Sequence, residues 1–253
     1  MRARSLLTAF AVAAGALLAS AGAATADTPD GDITPFIVGG HNATQTYTFM
    51  VSLQSTSGGH FCGGSLIKAN WVVTAKHCVS GKTPGSIRAR IGTTNRTSGG
   101  TVATGAQIVT NPSGDIALLR LSTSVAQTPV KIAAESGPVG TQTRIIGWGQ
   151  TCPQPGGCGA PTILQELDTS IVADSRCGGI RASTEICTNN TGGNKGACYG
   201  DSGGPQIKSV GGAWQLIGAT SRSGGGSVCA TAPSIYVDVP AFRTWISQYA
   251  GAV

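Results

Sequence analysis

Apolar residues in this chain gather in short runs rich in Val, Ile and Leu, separated by clusters of Gly, Ser, Thr, Asn and Pro. That pattern predicts strands joined by turns. The runs are Phe49–Gln54, Ser65–Ile67, Trp71–Ala75, Ile87–Ile91, Ile116–Leu121, Thr143–Gly147, Gln215–Ala219 and Ile235–Val239. Turn clusters at 95–100 and 153–159 are among those that divide them. Helical spacing is reached only near the end, where Pro240 precedes Phe242, Trp245, Ile246 and Tyr249 and predicts an amphipathic helix docked on the body. No repeat of fixed period is present. The pattern fits an all-β unit, and strand spacing alone does not separate two barrels from a sandwich.

The first residues follow a different rule. Arg2 and Arg4 precede an apolar run from Leu6 to Ala19 and then Ala24-Thr25-Ala26, the layout of a secretory signal peptide cut after Ala26. The run is shorter than the roughly 20 residues of a membrane helix, and no later stretch is long and apolar enough to span a bilayer. The expectation is an exported, extracellular product with no membrane contact once residues 1–26 are removed. Residues 27–36 are short and acidic, carry Pro29 and Pro35, and read as an activation propeptide ahead of a body at 37–253.

Eight cysteines, at 62, 78, 152, 158, 177, 187, 198 and 229, fit that destination. An even count in an exported chain implies disulfides, with the connectivity left open. Zinc is the rival reading, but there is no Cys-x-x-Cys pair and the chain has only three histidines. The formal charge is +6, and removing residues 1–36 takes away two arginines and three aspartates, leaving +7. The positive residues are scattered, so a solvated basic surface is expected and nucleic acid is not an expected partner.

Three segments carry candidate chemistry: Thr74-Ala75-Lys76-His77-Cys78, Asp115-Ile116-Ala117-Leu118-Leu119 and Gly200-Asp201-Ser202-Gly203-Gly204-Pro205. Taken singly each has a bland explanation, as a histidine beside a structural cysteine, a strand-capping aspartate and a glycine turn. Together they offer a base, an orienting carboxylate and a nucleophile, because a serine hydroxyl reacts only when a neighbouring base takes its proton. Gly200 tolerates positive φ, which lets its N–H converge with that of Ser202.

The order His, Asp, Ser with these flanks, and Ile37-Val38-Gly39-Gly40 at the start of the body, resembles the trypsin/chymotrypsin family of serine peptidases. The resemblance covers nearly all of 37–253. It implies two antiparallel six-stranded Greek-key barrels split near residue 145, with the active site in the cleft between them and a C-terminal helix. It implies catalysis by His77, Asp115 and Ser202 through an acyl-enzyme, with an oxyanion hole formed by the backbone N–H groups of Gly200 and Ser202. It implies that cleavage after Phe36 frees an Ile37 amine to pair with Asp201, since a buried carboxylate needs a partner. It also implies the bridges Cys62–Cys78, Cys177–Cys187 and Cys198–Cys229; Cys152 and Cys158 then remain to form a local fourth.

For specificity, the resemblance sets Gly196 at the base of the primary pocket, Ser223 and Ser234 on its walls, Ser221 beneath the catalytic carboxylate and Tyr199 near the entrance. Gly196 replaces the aspartate of trypsin-like members, so an uncharged side chain such as Phe, Tyr, Leu or Met is expected. Arg222 stands where the family usually has Trp, and Ser223–Ser227 lengthens the loop before Cys229. Lys76 replaces the usual Ala and is expected to face solvent without a role. Residues 79–114 contain no Asp or Glu, so no calcium loop is expected, and neither is any other metal or cofactor. Asn42, Asn95 and Asn189 each begin a glycosylation pattern. Expected partners are protein or peptide substrates and, further, a proteinaceous inhibitor; a monomer is expected. Two rivals are a catalytically silent relative that binds without cleaving and a serine esterase of another fold, which the triad order opposes.

Overall fold

The computed structural model describes Met1 and residues 37–253; the expected signal peptide and propeptide lie outside the described residues. The body enters through β1 (His41–Asn42), a short strand that pairs with residues 165–166 of the second half. Six antiparallel strands follow: β2 (Met50–Gln54), β3 (His60–Lys68), β4 (Trp71–Thr74), β5 (Arg88–Ile91), β6 (Thr101–Thr110) and β7 (Ala117–Leu121). They close into a barrel in the order β2-β3-β4-β7-β6-β5. Closure satisfies the strand edges, and the inner face is filled by Val51, Leu53, Leu66, Val72, Ile91 and Leu119, all fully buried.

The second half contains β8 (Lys131–Ile132), β9 (Gln142–Gly147), β10 (Gln165–Ser170), β11 (Glu185–Thr188), β12 (Pro205–Val210), β13 (Ala213–Ser223) and β14 (Ser234–Asp238). Their order is β1-β10-β9-β12-β13-β14-β11, with β8 parallel to β13. The ends of this sheet meet just after β10, where Ile171 bridges Thr188 and the Val172 N–H donates to Cys187 O at 2.9 Å. One apolar cluster runs across both halves, joining Val73 and Leu118 to Ile207, Leu216 and Val237. That shared core fixes the two sheets against each other and so sets the cleft between them.

The C-terminal segment behaves as its spacing predicts. A short turn at Val239–Phe242 leads into α2 (Arg243–Ala250), and Phe242 and Ile246 are buried against the shared core. Four disulfides lock the loops: Cys62–Cys78, Cys152–Cys158, Cys177–Cys187 and Cys198–Cys229, with Cα separations of 6.2, 6.0, 5.8 and 5.2 Å. Among the described residues no helix is long and apolar enough to cross a membrane.

Candidate active site

His77 sits in a single helical turn, α1 (Lys76–Val79), entered directly from β4. The Cys62–Cys78 bridge anchors this turn to β3. Asp115 comes from the loop before β7, where the Asn111 side chain accepts from the Ser113 and Gly114 N–H groups at 2.9 and 3.0 Å and shapes the turn. His77 Nδ1 lies 2.8 Å from Asp115 Oδ2, and the His77 backbone N–H donates to Asp115 Oδ1 at 3.0 Å. Ser221 Oγ donates to Asp115 Oδ2 at 2.7 Å. Burial would raise the Asp115 carboxyl, but the donors from His77 and Ser221 outweigh it and hold the group below the usual carboxylate range. An ionised carboxylate only accepts, so Nδ1 carries a proton, and in the neutral tautomer this leaves the lone pair on Nε2.

Ser202 lies in the glycine loop between β11 and β12. Its carbonyl accepts from the Gly63 N–H at 2.8 Å, which ties the loop to β3 across the cleft. Gly203 has φ +75°, and a Cβ there would overlap Thr74 Oγ1. Gly200 has φ +99°, a conformation that residues with a side chain rarely adopt. Ser202 and His77 line one cavity of about 770 Å³; among the described residues no hydrogen bond joins Ser202 Oγ to the imidazole. Catalytic hydrogen bonds of this kind often tighten only when substrate is bound.

His60 is a residue that the sequence reading missed. Its Nε2 lies 3.0 Å from the Gly200 carbonyl oxygen and its Nδ1 2.8 Å from Ser52 Oγ. A carbonyl can only accept, so Nε2 is the protonated nitrogen and Nδ1 accepts from the serine. Gln54 Nε2 in turn donates to Ser52 Oγ at 3.0 Å, completing a consistent chain. Burial lowers the His60 pKa to about 4, so the ring is neutral at ordinary pH. The only sequence signal was a histidine two residues before Cys62, and it did not point to this role.

Asp201 is fully enclosed. It accepts from the Gly149 N–H at 2.8 Å and the Cys198 N–H at 2.9 Å, and burial pushes its pKa up to about 7. Among the described residues it has no cation partner. Ile37 is buried in the second half beside Ile145, Leu167 and Ile217.

The same cavity is walled by Ala197, Ser223, Ala230 and Ser234, with the Cys198–Cys229 bridge in its side. Gly196 is set just behind this wall, where a Cβ would stand 3.7 Å from Ala230 and 3.8 Å from Ser234 Oγ. Tyr199 stands at the mouth, its hydroxyl donating to Ser227 O at 2.8 Å. The extra Cys152–Cys158 loop props this wall from behind, because Pro153 O accepts from the Cys229 N–H at 2.9 Å. Arg222 is held by Glu185 through two hydrogen bonds of 2.7 and 2.8 Å. Lys76 does not face solvent freely as expected, since its ammonium donates to Asn111 O at 2.9 Å. The one cluster among the described residues with metal-ligand geometry is Cys62, His77 and Cys78. Its two sulfurs are bonded to each other, which leaves no thiolate for a metal.

A closed β-barrel joined to a second curled sheet, with a carboxylate-bound histidine and a glycine-flanked serine on one cleft, defines a class of hydrolase. Comparison with known proteins agrees. A family profile described as Trypsin matches residues 37–246. The chain is 36% identical to trypsin theta of Drosophila melanogaster, over 90% of this chain and 92% of that protein. It is 33% identical to a trypsin of Sarcophaga bullata, covering 93% and 97%. It is 35% identical to a trypsin of Sus scrofa, covering 84% and 94%. The chain belongs to the trypsin family and is a serine endopeptidase.

Proposed function

We propose that Ser202 attacks the peptide carbonyl while His77 Nε2 takes its proton, and that Asp115 holds the imidazole and stabilises its cation. The N–H groups of Gly200 and Ser202 receive the developing oxyanion. His77 then returns the proton to the leaving amine, and water releases the acyl group by the same route. The observation that carries this reading is the His77–Asp115 pair, 2.8 Å apart, on the same cavity as Ser202.

The side chain preceding the cleaved bond is apolar. No carboxylate lines the cavity among the described residues, and Ala197, Ala230, Ser223 and Ser234 offer small neutral walls. Burying a large apolar side chain there contributes roughly 1.5–3 kcal/mol. The protein is secreted, and cleavage after Phe36 generates the active form, in which the Ile37 amine supplies the cation that Asp201 lacks. Phe36 has the preferred side-chain character, so the precursor processes itself. A Ser202→Ala precursor that is still trimmed to Ile37 without added protease would sink self-processing.

Cleavage-site profiling on a peptide library, with Ser202→Ala as control, tests the whole reading. Cleavage after Phe, Tyr, Leu or Met that is absent in the control is the expected result. Cleavage after Arg or Lys would leave the mechanism standing and overturn the pocket assignment. No cleavage by protein confirmed to begin at Ile37 would overturn the catalytic roles.

A further inference from the structure

Beside the catalytic carboxylate lies a second recess, of about 220 Å³, lined by Lys76, Pro112, Ser113, Gly114, Asp115 and Arg181. It is bounded by cations from both halves of the molecule. Lys76 comes from α1 and donates to Asn111 O at 2.9 Å; Arg181 comes from the loop closed by Cys177–Cys187 and donates to Ser113 O at 3.2 Å. Each is thus held against the same turn by one carbonyl, and most of their N–H donors remain unused. Among the described residues neither forms an ion pair.

The nearby carboxylates are already engaged. Asp115 also lines the recess, but it accepts from the His77 N–H, the His77 ring and Ser221 Oγ. Glu185 accepts from the Arg181 backbone N–H at 2.7 Å and is bound to the Arg222 guanidinium. The local balance therefore leaves positive charge unmatched.

The recess is also placed to meet a bound chain. Arg222 and Ser223 form the edge of the substrate cavity, and Arg222 donates to Gly179 O at 2.9 Å, two residues before Arg181. The Arg181 loop therefore adjoins the Arg222 edge of the cavity, within reach of a substrate segment lying over that edge. We propose that the recess is a subsite for an acidic side chain of the substrate, upstream of the cleaved bond, read by Arg181 and Lys76. This rests on the peptidase reading above and adds the substrate class to it.

The test uses peptides that share one apolar residue before the cleaved bond and one leaving group, with Glu, Gln or Lys at successive upstream positions. At one position kcat/KM for Glu should exceed that for Gln by roughly three- to tenfold, the effect of one or two partly exposed ion pairs. The ratio should fall toward unity in Arg181→Gln and in Lys76→Gln, and also as salt rises. The Gln peptides report peptidase activity alone. Binding of the same uncleaved peptides to Ser202→Ala, measured by calorimetry, reads the preference even where turnover fails. Equal values for Glu and Gln at every position, or a Glu preference untouched by both substitutions, would overturn the subsite.

Discussion

His60 donates from Nε2 to the carbonyl oxygen of Gly200 at 3.0 Å, so a side chain of the first barrel holds the loop that carries a proposed oxyanion donor of the second half. The ring is itself fixed by Ser52 and Gln54, which makes it a positioning residue and not a reacting one. Replacing it with Leu leaves the Gly200 carbonyl without its partner, at a cost of about 1–3 kcal/mol. If that cost appears as misplacement of the loop in the transition state, kcat falls roughly ten- to a hundredfold with a much smaller change in KM. Steady-state kinetics of His60→Leu and His60→Gln check this, with Gln restoring part of the loss. Lower thermal stability with unchanged kcat would assign His60 a purely structural role.

Asp201 gives a prediction in pH. Burial raises its pKa from 3.8 to about 7 in the uncleaved chain. Between those values the folded precursor holds a proton that the unfolded chain has lost, so this group makes the precursor less stable as pH rises from about 4 to 7. Below pH 4 both states are protonated and the cost vanishes. Cleavage before Ile37 supplies an amine that favours the ionised form and removes the penalty. The stability gained on cleavage should therefore grow between pH 4 and 7, by up to about 4 kcal/mol. Thermal unfolding of cleaved and uncleaved Ser202→Ala protein isolates this effect, because the titration of His60 is common to both. A gain that does not change with pH would remove Asp201 from the activation step.

The strands that the sequence makes legible are those whose burial is mostly apolar, such as β4, β7 and β14. β10 was not, because three of its four buried positions, Gln165, Glu166 and Thr169, are polar and only Leu167 is apolar. Glu166 is held by Tyr47, Thr44 and Arg144, partners far away in the chain, so its burial depends on contacts that no local period displays. β12 begins at Pro205, immediately after the glycine loop, and β6 mixes Thr, Ala and Gly on both faces. In the candidate site, His77, Asp115 and Ser202 stood out as candidates because each carries distinctive neighbours. His60 and Lys76 were not, since their meaning comes from where the β2–β3 pairing and the Asn111 turn place them.

The fourth disulfide closes a short loop, so its direct contribution to stability is limited. Chain-entropy reasoning gives about 2 kcal/mol for a loop of this size. Its larger effect should be on the substrate pocket, whose Cys229 N–H is held by Pro153 O at 2.9 Å. A Cys152→Ala/Cys158→Ala protein is expected to fold, to unfold at lower denaturant concentration, and to show KM raised severalfold with kcat less affected. Unchanged KM for an apolar substrate would mean that the loop does not shape the pocket.

Gly200 allows the proposed oxyanion donor to be tested apart from the other proposed catalytic groups. Its φ of +99° is one that side-chain-bearing residues rarely adopt, and a Cβ there would stand 3.1 Å from the Gly149 Cα. Valine must therefore turn the peptide away or strain the loop, and either outcome misdirects the N–H. The His77–Asp115 hydrogen bonds involve neither residue 200 nor its neighbours, so that pair remains intact. Loss of one oxyanion donor costs roughly 10²–10³ in turnover. Gly200→Val is expected to lose that much in kcat, measured well below its unfolding temperature so that the strain does not intrude. Slow phosphonylation of Ser202 by an active-site-directed phosphonate should accompany the loss, because that reaction also places a partly negative phosphoryl oxygen in the hole. Wild-type turnover in a folded Gly200→Val protein would show that the oxyanion is stabilised elsewhere.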